Sequence, residues 1–267
     1  MKIFGFIGTG NMGGALAKAA AKVVSTDEIL LSDGYPLVAE KLAKELGCKA
    51  VAVNTVAVSA DLIWLGVKPQ VMESMLSGIA PYLAARTSPF VLVSMAAGVS
   101  IADIQRMAGA DYPVIRIMPN IPVKSGSGVV LYDYSENVPA DLVEAFRQSM
   151  TYAGLVDRLP EKLIDAGSAL SGCGPAFVSL FVEALADGAV ACGLPRNQAM
   201  IYAEQTLMGT AKYLLESGVH PAELKDAVCS PGGSTIVGVQ ALEAGAFRAS
   251  AAEAVVAAFE RTQELGK

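Results

Sequence analysis

Lys2–Gly14 reads KIFGFIGTGNMGG. Lys2 to Ile7 is a short apolar run of strand character, Gly8, Gly10 and Gly13 follow in GxGxxG spacing, and Met12 and Gly13 open a helix. Each glycine answers a separate demand: Gly8 permits the tight turn, Gly10 lets the backbone approach a pyrophosphate, and Gly13 lets the helix lie close to the strand. The free N–H groups of that helix start then face negative charge. The same glycines would also suit a strand-to-helix turn in any doubly wound fold. What favours a dinucleotide site is the position between strand and helix, with an acid, Asp33, at the end of the next strand. A carboxylate there can accept bonds from the adenosine ribose and repels a 2′-phosphate, which leans towards NADH. Asp33 reads equally as a turn residue in Ser32-Asp33-Gly34-Tyr35-Pro36.

Outward from this loop, strand-like runs at Lys2–Ile7, Ile29–Ser32, Leu62–Val67, Val91–Ser94, Val114–Met118 and Val129–Tyr132 alternate with stretches of helical length. Such alternation implies a parallel sheet covered on both faces. Near Leu155–Pro160 the pattern changes, and Ala-rich helical segments broken by glycine and proline run to the end. The expected division is a dinucleotide-binding domain at 1–160 and a helical domain at 161–267. The stretch Ala176–Ala191 is apolar nearly all round, so it needs cover on every side. A second subunit would supply the missing face, the alternative being cover by the first domain.

The chain has 267 residues, 53% of them hydrophobic, and a formal charge of −6. No Lys/Arg run could neutralise several phosphates, which argues against nucleic acid and anionic membranes and for a small-molecule substrate. Cys48, Cys173, Cys192 and Cys229 stand far apart and His220 is the only histidine, so neither a metal site nor a disulfide framework is suggested, and the thiols read as reduced, in a cytoplasm. The glycines after Ile7 interrupt what would otherwise be a signal-peptide core. No uninterrupted apolar stretch reaches the ~20 residues of a membrane-spanning helix.

Further motifs occur in this order: Val67-Lys68-Pro69-Gln70, Ser94 to Gly98 (SMAAG), Arg116 to Pro122 (RIMPNIP), Ser171 to Phe177 (SGCGPAF) and Cys229 to Thr235 (CSPGGST). With the glycine loop they resemble the pyrroline-5-carboxylate reductases over nearly the whole chain. The resemblance implies a Rossmann domain followed by an all-helical dimerisation domain that intertwines with its mate, in some members assembled further into a ring of dimers. It implies NADPH or NADH as cofactor. By the same resemblance Ile7, Gly8, Thr9, Gly10, Asn11 and Met12 hold the pyrophosphate and Asn54 lies beside the adenosine. Gly66, Val67, Lys68 and Pro69 line the cofactor cleft, and Met95, Ala96 and Ala97 flank the nicotinamide. Many relatives carry an arginine after the second strand where this chain has Gly34, a departure that bears on cofactor choice.

The implied substrate is a five-membered ring with a C=N bond and a carboxylate, reduced to L-proline by hydride transfer. Pro231 to Thr235 reads as the start of a helical segment running to Glu243, whose unpaired N–H groups make an anion site without an arginine. Ser230, Gly232, Gly233 and Ser234 are accordingly assigned to the substrate carboxylate. A plain helix start, with Ser230 as cap and Pro231 in first position, explains the same residues. Thr235 is the candidate catalytic residue: its hydroxyl would orient the ring nitrogen, although a hydroxyl is a poor acid. Most of the rate must then come from positioning. His220, ahead of Pro221, reads better as a surface turn residue than as a general acid, and Lys68 reads also as a solvated loop lysine. The nearest rivals are reductases of other small cyclic imino acids and the β-hydroxyacid dehydrogenases. The latter use a lysine as base, and Pro175–Pro195 holds none. A nucleotide-binding sensor without turnover would have no need of Ser230 to Thr235.

Overall fold

A computed structural model describes residues 2–265. Its first half alternates β1 (Phe4–Ile7), α1 (Asn11–Ala20), β2 (Ile29–Ser32), α2 (Pro36–Leu46), β3 (Lys49–Ala50), α3 (Val53–Ser59), β4 (Leu62–Leu65), α4 (Pro69–Ala84), β5 (Val91–Ser94), α5 (Ile101–Ala108) and β6 (Val114–Pro119). Then come β7 (Gly128–Tyr134), α6 (Ala140–Ser149) and β8 (Gly154–Arg158). The strands form one sheet in the order β3-β2-β1-β4-β5-β6-β7-β8. Successive side chains of a strand point to opposite faces, and here both faces are covered. Leu62 and Trp64 therefore enter one core and Ile63 and Leu65 the other. Trp64 stacks on Phe6 with ring centroids 5.1 Å apart and leans on Phe146 at 5.6 Å.

The sheet is parallel except at one place: β7 runs antiparallel to β6. Only residues 120–127 separate the two strands, too few for the crossover that a parallel return requires. Two strands escape the sequence reading. β3 is two exposed residues with no periodicity to detect, and β8 is a half-exposed edge strand.

Beyond Pro160 the described residues are helical: α7 (Glu161–Ser171), α8 (Gly174–Ala191), α9 (Arg196–Ser217), α10 (Pro221–Ala227), α11 (Ser234–Ala244) and α12 (Phe247–Leu265). By packing, α7 and the chain from Ala258 belong to the first compact unit, and the second is Gly174–Ala257. The physical reason is that α7 is anchored to the sheet. Ile164 packs with Met118 and Leu131. Arg116, 4% exposed, reaches Asp165 at 2.6 Å and Glu161 at 3.3 Å. Asp165 also accepts a bond from Gln263, which ties the end of α12 to the same group.

The second unit, Gly174–Ala257, has a small core of its own. Its buried cluster is Ala186, Ala199 and Ala203, where α8 and α9 meet through small side chains. Leu215 is 86% exposed, and Leu180, Ile201 and Met208 are exposed as well. Taken together, Glu161–Ala191 is long and apolar enough to cross a membrane by length and composition. Charged residues interrupt it at Lys162, Asp165, Glu183 and Asp187. An apolar surface of this extent requires cover.

Candidate active site

Strands β1, β2, β4 and β5 are mutually parallel and so end at one edge of the sheet. The order reverses between β1 and β4, and ligands of such sheets bind in the crevice beyond that switch point. Most predicted cofactor residues of the first half lie at this edge, at Ile7 and in the segments after Ile7, Ser32, Leu65 and Ser94, while Asn54 lies in α3.

The crevice is built by close backbone contact. Gly8 has φ +90°, and its N–H donates to the Ser32 carbonyl at 2.8 Å. A Cβ on Gly13 would stand 2.0 Å from the Gly8 carbonyl oxygen, and one on Gly66 would stand 2.3 Å from the same oxygen. Gly10 has open space where its Cβ would be and is the N-cap of α1, with no described side chain closing the helix start. The first amides of α1 are thus free beside an unobstructed approach, which fits a pyrophosphate. Gly66 was predicted as a cleft residue; that it packs backbone to backbone on Gly8 was not legible, because no motif spans the two. Gly13→Ala should weaken cofactor binding about tenfold, since the contact is with backbone and cannot be relieved by a side-chain rotation. Calorimetric titration with NADH checks this.

Asp33 is the turn residue that one reading of the sequence expects, and it also holds the glycine loop. Its Oδ2 accepts from the Thr9 N–H at 2.7 Å and the Thr9 hydroxyl at 3.1 Å, and its Oδ1 accepts from the Tyr35 N–H at 3.0 Å. A carboxylate has about four acceptor positions. The turn and the glycine loop occupy three of them and leave one open.

Ser32, Asp33, Gly34, Ala52, Val53 and Val67 line a cleft of about 610 Å3 together with Ile7 and the first turns of α2 and α4. Asn54 is the exposed neighbour of Val53, its Oδ1 accepting from the Thr55 N–H. Lys68 is the exposed N-cap of α4 and Pro69 its first residue. Met95, Ala96 and Ala97 follow β5, with Ala96 buried and Ala97 exposed. A second cleft, about 790 Å3, lies along α1 and α2 and is bordered by Thr9, Gly10 and four lysines: Lys18, Lys22, Lys41 and Lys124. Sequence reasoning did not find it, because those lysines come from separate elements. Among the described residues no group of His, Cys, Asp and Glu is placed to hold a metal ion.

In the second unit, Ser230 to Thr235 fold differently from a simple helix start at Pro231. The Gly233 N–H donates to the Ser230 carbonyl at 3.0 Å, and Gly232 has φ +68°. Ser230-Pro231-Gly232-Gly233 is therefore a tight turn with proline then left-handed glycine, the pairing a type II turn demands. Helix α11 begins only at Ser234, with Gly233 as N-cap, so Ser230 does not cap it and Pro231 is outside it. A Cβ on Gly233 would meet the Ser230 Oγ at 2.3 Å. Thr235 is the second residue of α11 and is exposed, as are Ser230, Gly232 and Ser234. No described side chain closes this helix start, so its leading amides are available to an anion.

His220 is the exposed N-cap of α10, its Nδ1 accepting from the Ala222 N–H at 3.2 Å. That accounts for it as a helix-capping residue. In the SGCGPAF stretch, Gly172 lies where a Cβ would be 2.8 Å from the Ser168 carbonyl oxygen, and Pro175 sits in the first turn of α8, as proline prefers.

The chain matches the family model for pyrroline-5-carboxylate reductase dimerisation over residues 161–265, and that for NADP oxidoreductase, coenzyme F420-dependent, over residues 3–98. It is 39% identical over 266 residues to the pyrroline-5-carboxylate reductase of Methanosarcina acetivorans, covering 98% of this chain and 97% of the relative. Among solved structures, that of a pyrroline-5-carboxylate reductase from Coxiella burnetii superposes with a TM-score of 0.91 at 29% identity, covering 100% of this chain and 99% of that one. The pyrroline carboxylate reductase of Plasmodium falciparum, solved with NADP bound, superposes with a TM-score of 0.88 at 30% identity, covering 100% and 98%. With a Rossmann-type sheet, a helical dimerisation domain and a match that runs the length of both proteins, this chain belongs to the pyrroline-5-carboxylate reductase family.

Proposed function

We propose that the protein reduces L-1-pyrroline-5-carboxylate to L-proline, the last step of proline biosynthesis, with hydride from NADPH or NADH. The observation that carries this reading is full-length membership of the family together with an uncapped helix start at the Ser230–Thr235 turn. In the first unit the amides at the start of α1, from Gly10 to Met12, bind the pyrophosphate, with Ile7, Gly8 and Thr9 shaping the approach. Asp33 and Asn54 stand at the adenosine, and Gly66 to Pro69 and Met95 to Ala97 border the rest of the dinucleotide. Bound there, the nicotinamide supplies the hydride.

In the second unit the substrate carboxylate is held by backbone N–H groups at the start of α11, which carry the positive end of the helix dipole. Gly232 and Gly233 keep that approach free of side chains, while Ser230 and Ser234 border it. The Thr235 hydroxyl bonds the ring nitrogen and orients the imine. An imine has no hydroxyl proton to remove, so no base is required of the protein; the proton on the ring nitrogen is carried in by the substrate as its iminium form, whose N–H donates to the Thr235 hydroxyl. Mixing the purified protein with pyrroline-5-carboxylate and each cofactor, and following the loss of nicotinamide absorbance, tests the reading. Turnover of a different cyclic imino acid in preference would replace the substrate named here.

The working unit is a homodimer in which a second copy, rather than a bilayer, covers the apolar faces around Leu180, Met208 and Leu215; a ring of dimers in the cytoplasm is the fuller form of the same reading. Sedimentation at low micromolar concentration should give a dimer or a multiple of it. A stable, fully active monomer would overturn this assignment.

A further inference from the structure

The cleft at the adenosine end of the cofactor edge has a one-sided charge. Its lining includes two carboxylates, Asp33 and Glu40, and among the described lining residues neither lysine nor arginine. Gly34, the position where a cation could stand, has no side chain, and a Cβ there would meet nothing within 4 Å. The nearest lysine along the chain, Lys41, follows Glu40 directly, yet one step along a helix turns a side chain by about 100°. Lys41 thus borders the other cleft, with Lys18, Lys22 and Lys124. Asp33 is also not free to swing away from an incoming phosphate. Thr9, itself 5% exposed, holds Oδ2 through both its N–H and its hydroxyl, and the Tyr35 N–H holds Oδ1.

We propose that this cleft selects NADH over NADPH, with Asp33 and Glu40 as the discriminating charges and Thr9 as the positioning residue that locks Asp33 in place. The inference rests on the dinucleotide assignment above and deepens it. A 2′-phosphate would bring a dianion against a fixed carboxylate with no cation to offset it, whereas a ribose hydroxyl can donate to the one acceptor position that Asp33 has left. The NADP in the Plasmodium falciparum relative makes the choice a property of these residues rather than of the fold.

The test is calorimetric titration of the whole protein with NADH and with NADPH, in the absence of imine, so that a failed substrate assignment leaves it unaffected. The wild type should bind NADH at least about tenfold more tightly than NADPH. Glu40→Gln, an exposed change, should shift the ratio of the two dissociation constants towards NADPH, and Asp33→Ser should shift it further. Thr9→Val keeps the N–H and the side-chain shape but removes the hydroxyl. It should narrow the ratio of the two dissociation constants, and Thr9→Ser should restore it. If Thr9→Val weakens both cofactors equally, Thr9 only supports the loop and its positioning role falls. If the wild type binds NADPH as tightly as NADH or more so, the proposal is overturned, and loss of that affinity in Lys41→Ala would locate the 2′-phosphate in the lysine-bordered cleft.

Discussion

Thr235→Ala is expected to lower kcat/KM for the imine about ten- to hundredfold, the equivalent of the ~1.5 to 3 kcal/mol carried by a hydrogen bond to a charged group. The prediction is sharp because the substitution removes little else. Thr235 is the second residue of α11 and exposed, alanine is the best helix former, and the amides assigned to the carboxylate are backbone groups. NADH affinity should therefore stay at its wild-type value. Thr235→Ser, which restores the hydroxyl, should recover most of the activity. Gly233→Val makes the complementary change: its side chain collides with the Ser230 Oγ and crowds the helix start, so KM for the substrate should rise while cofactor titration is unaffected. Full activity of Thr235→Ala alongside an inactive His220→Ala would reverse the roles given to those two residues.

Arg116→Ala should be strongly destabilising. The guanidinium sits on β6 and is nearly inaccessible, and it bonds Asp165 and Glu161 of α7. Glu161 Oε1 also accepts from the Ile101 N–H at 2.7 Å, and the Glu161 N–H donates to Asp133 at 2.8 Å. Removing the arginine leaves two carboxylates facing each other without a cation. Breaking a buried pair in this way costs roughly 3 to 5 kcal/mol. Both carboxylates keep some contact with water, at 31% and 21% exposure, so the expected loss is the lower figure, about 3 kcal/mol. The measurement is the urea midpoint at a fixed protein concentration, because dimer formation adds a concentration-dependent share to the apparent stability. A midpoint within error of the wild type would show that α7 is held by Ile164 and its apolar neighbours alone.

Much of the fold was legible because its signals are local. The GxGxxG loop, the four-residue apolar strands and the glycine–proline breaks between helices each occupy a short window, and local sterics decide them. Strands β2 and β5 fall on their expected residues. The antiparallel β7, the two-residue β3 and the packing of α7 on the sheet were not legible. They depend on which surface a segment meets, and Arg116, Glu161 and Asp165 give no sign of one another across 45 and 49 residues of separation.

The candidate sites divide the same way. The sequence by itself determined which residues could carry the chemistry: glycines where only a bare backbone fits, an acid after β2, and Pro231-Gly232-Gly233 ahead of Thr235. The tertiary structure alone decided how they are used. It moved the start of α11 to Ser234, made Gly66 the partner of Gly8, fastened Asp33 to Thr9, and placed Glu40 and Lys41 in different clefts. Motifs record what a few consecutive residues can do sterically. Charge selection and backbone contact depend on distances of a few ångströms between segments far apart in the chain, and only the packed sheet and helices set those distances.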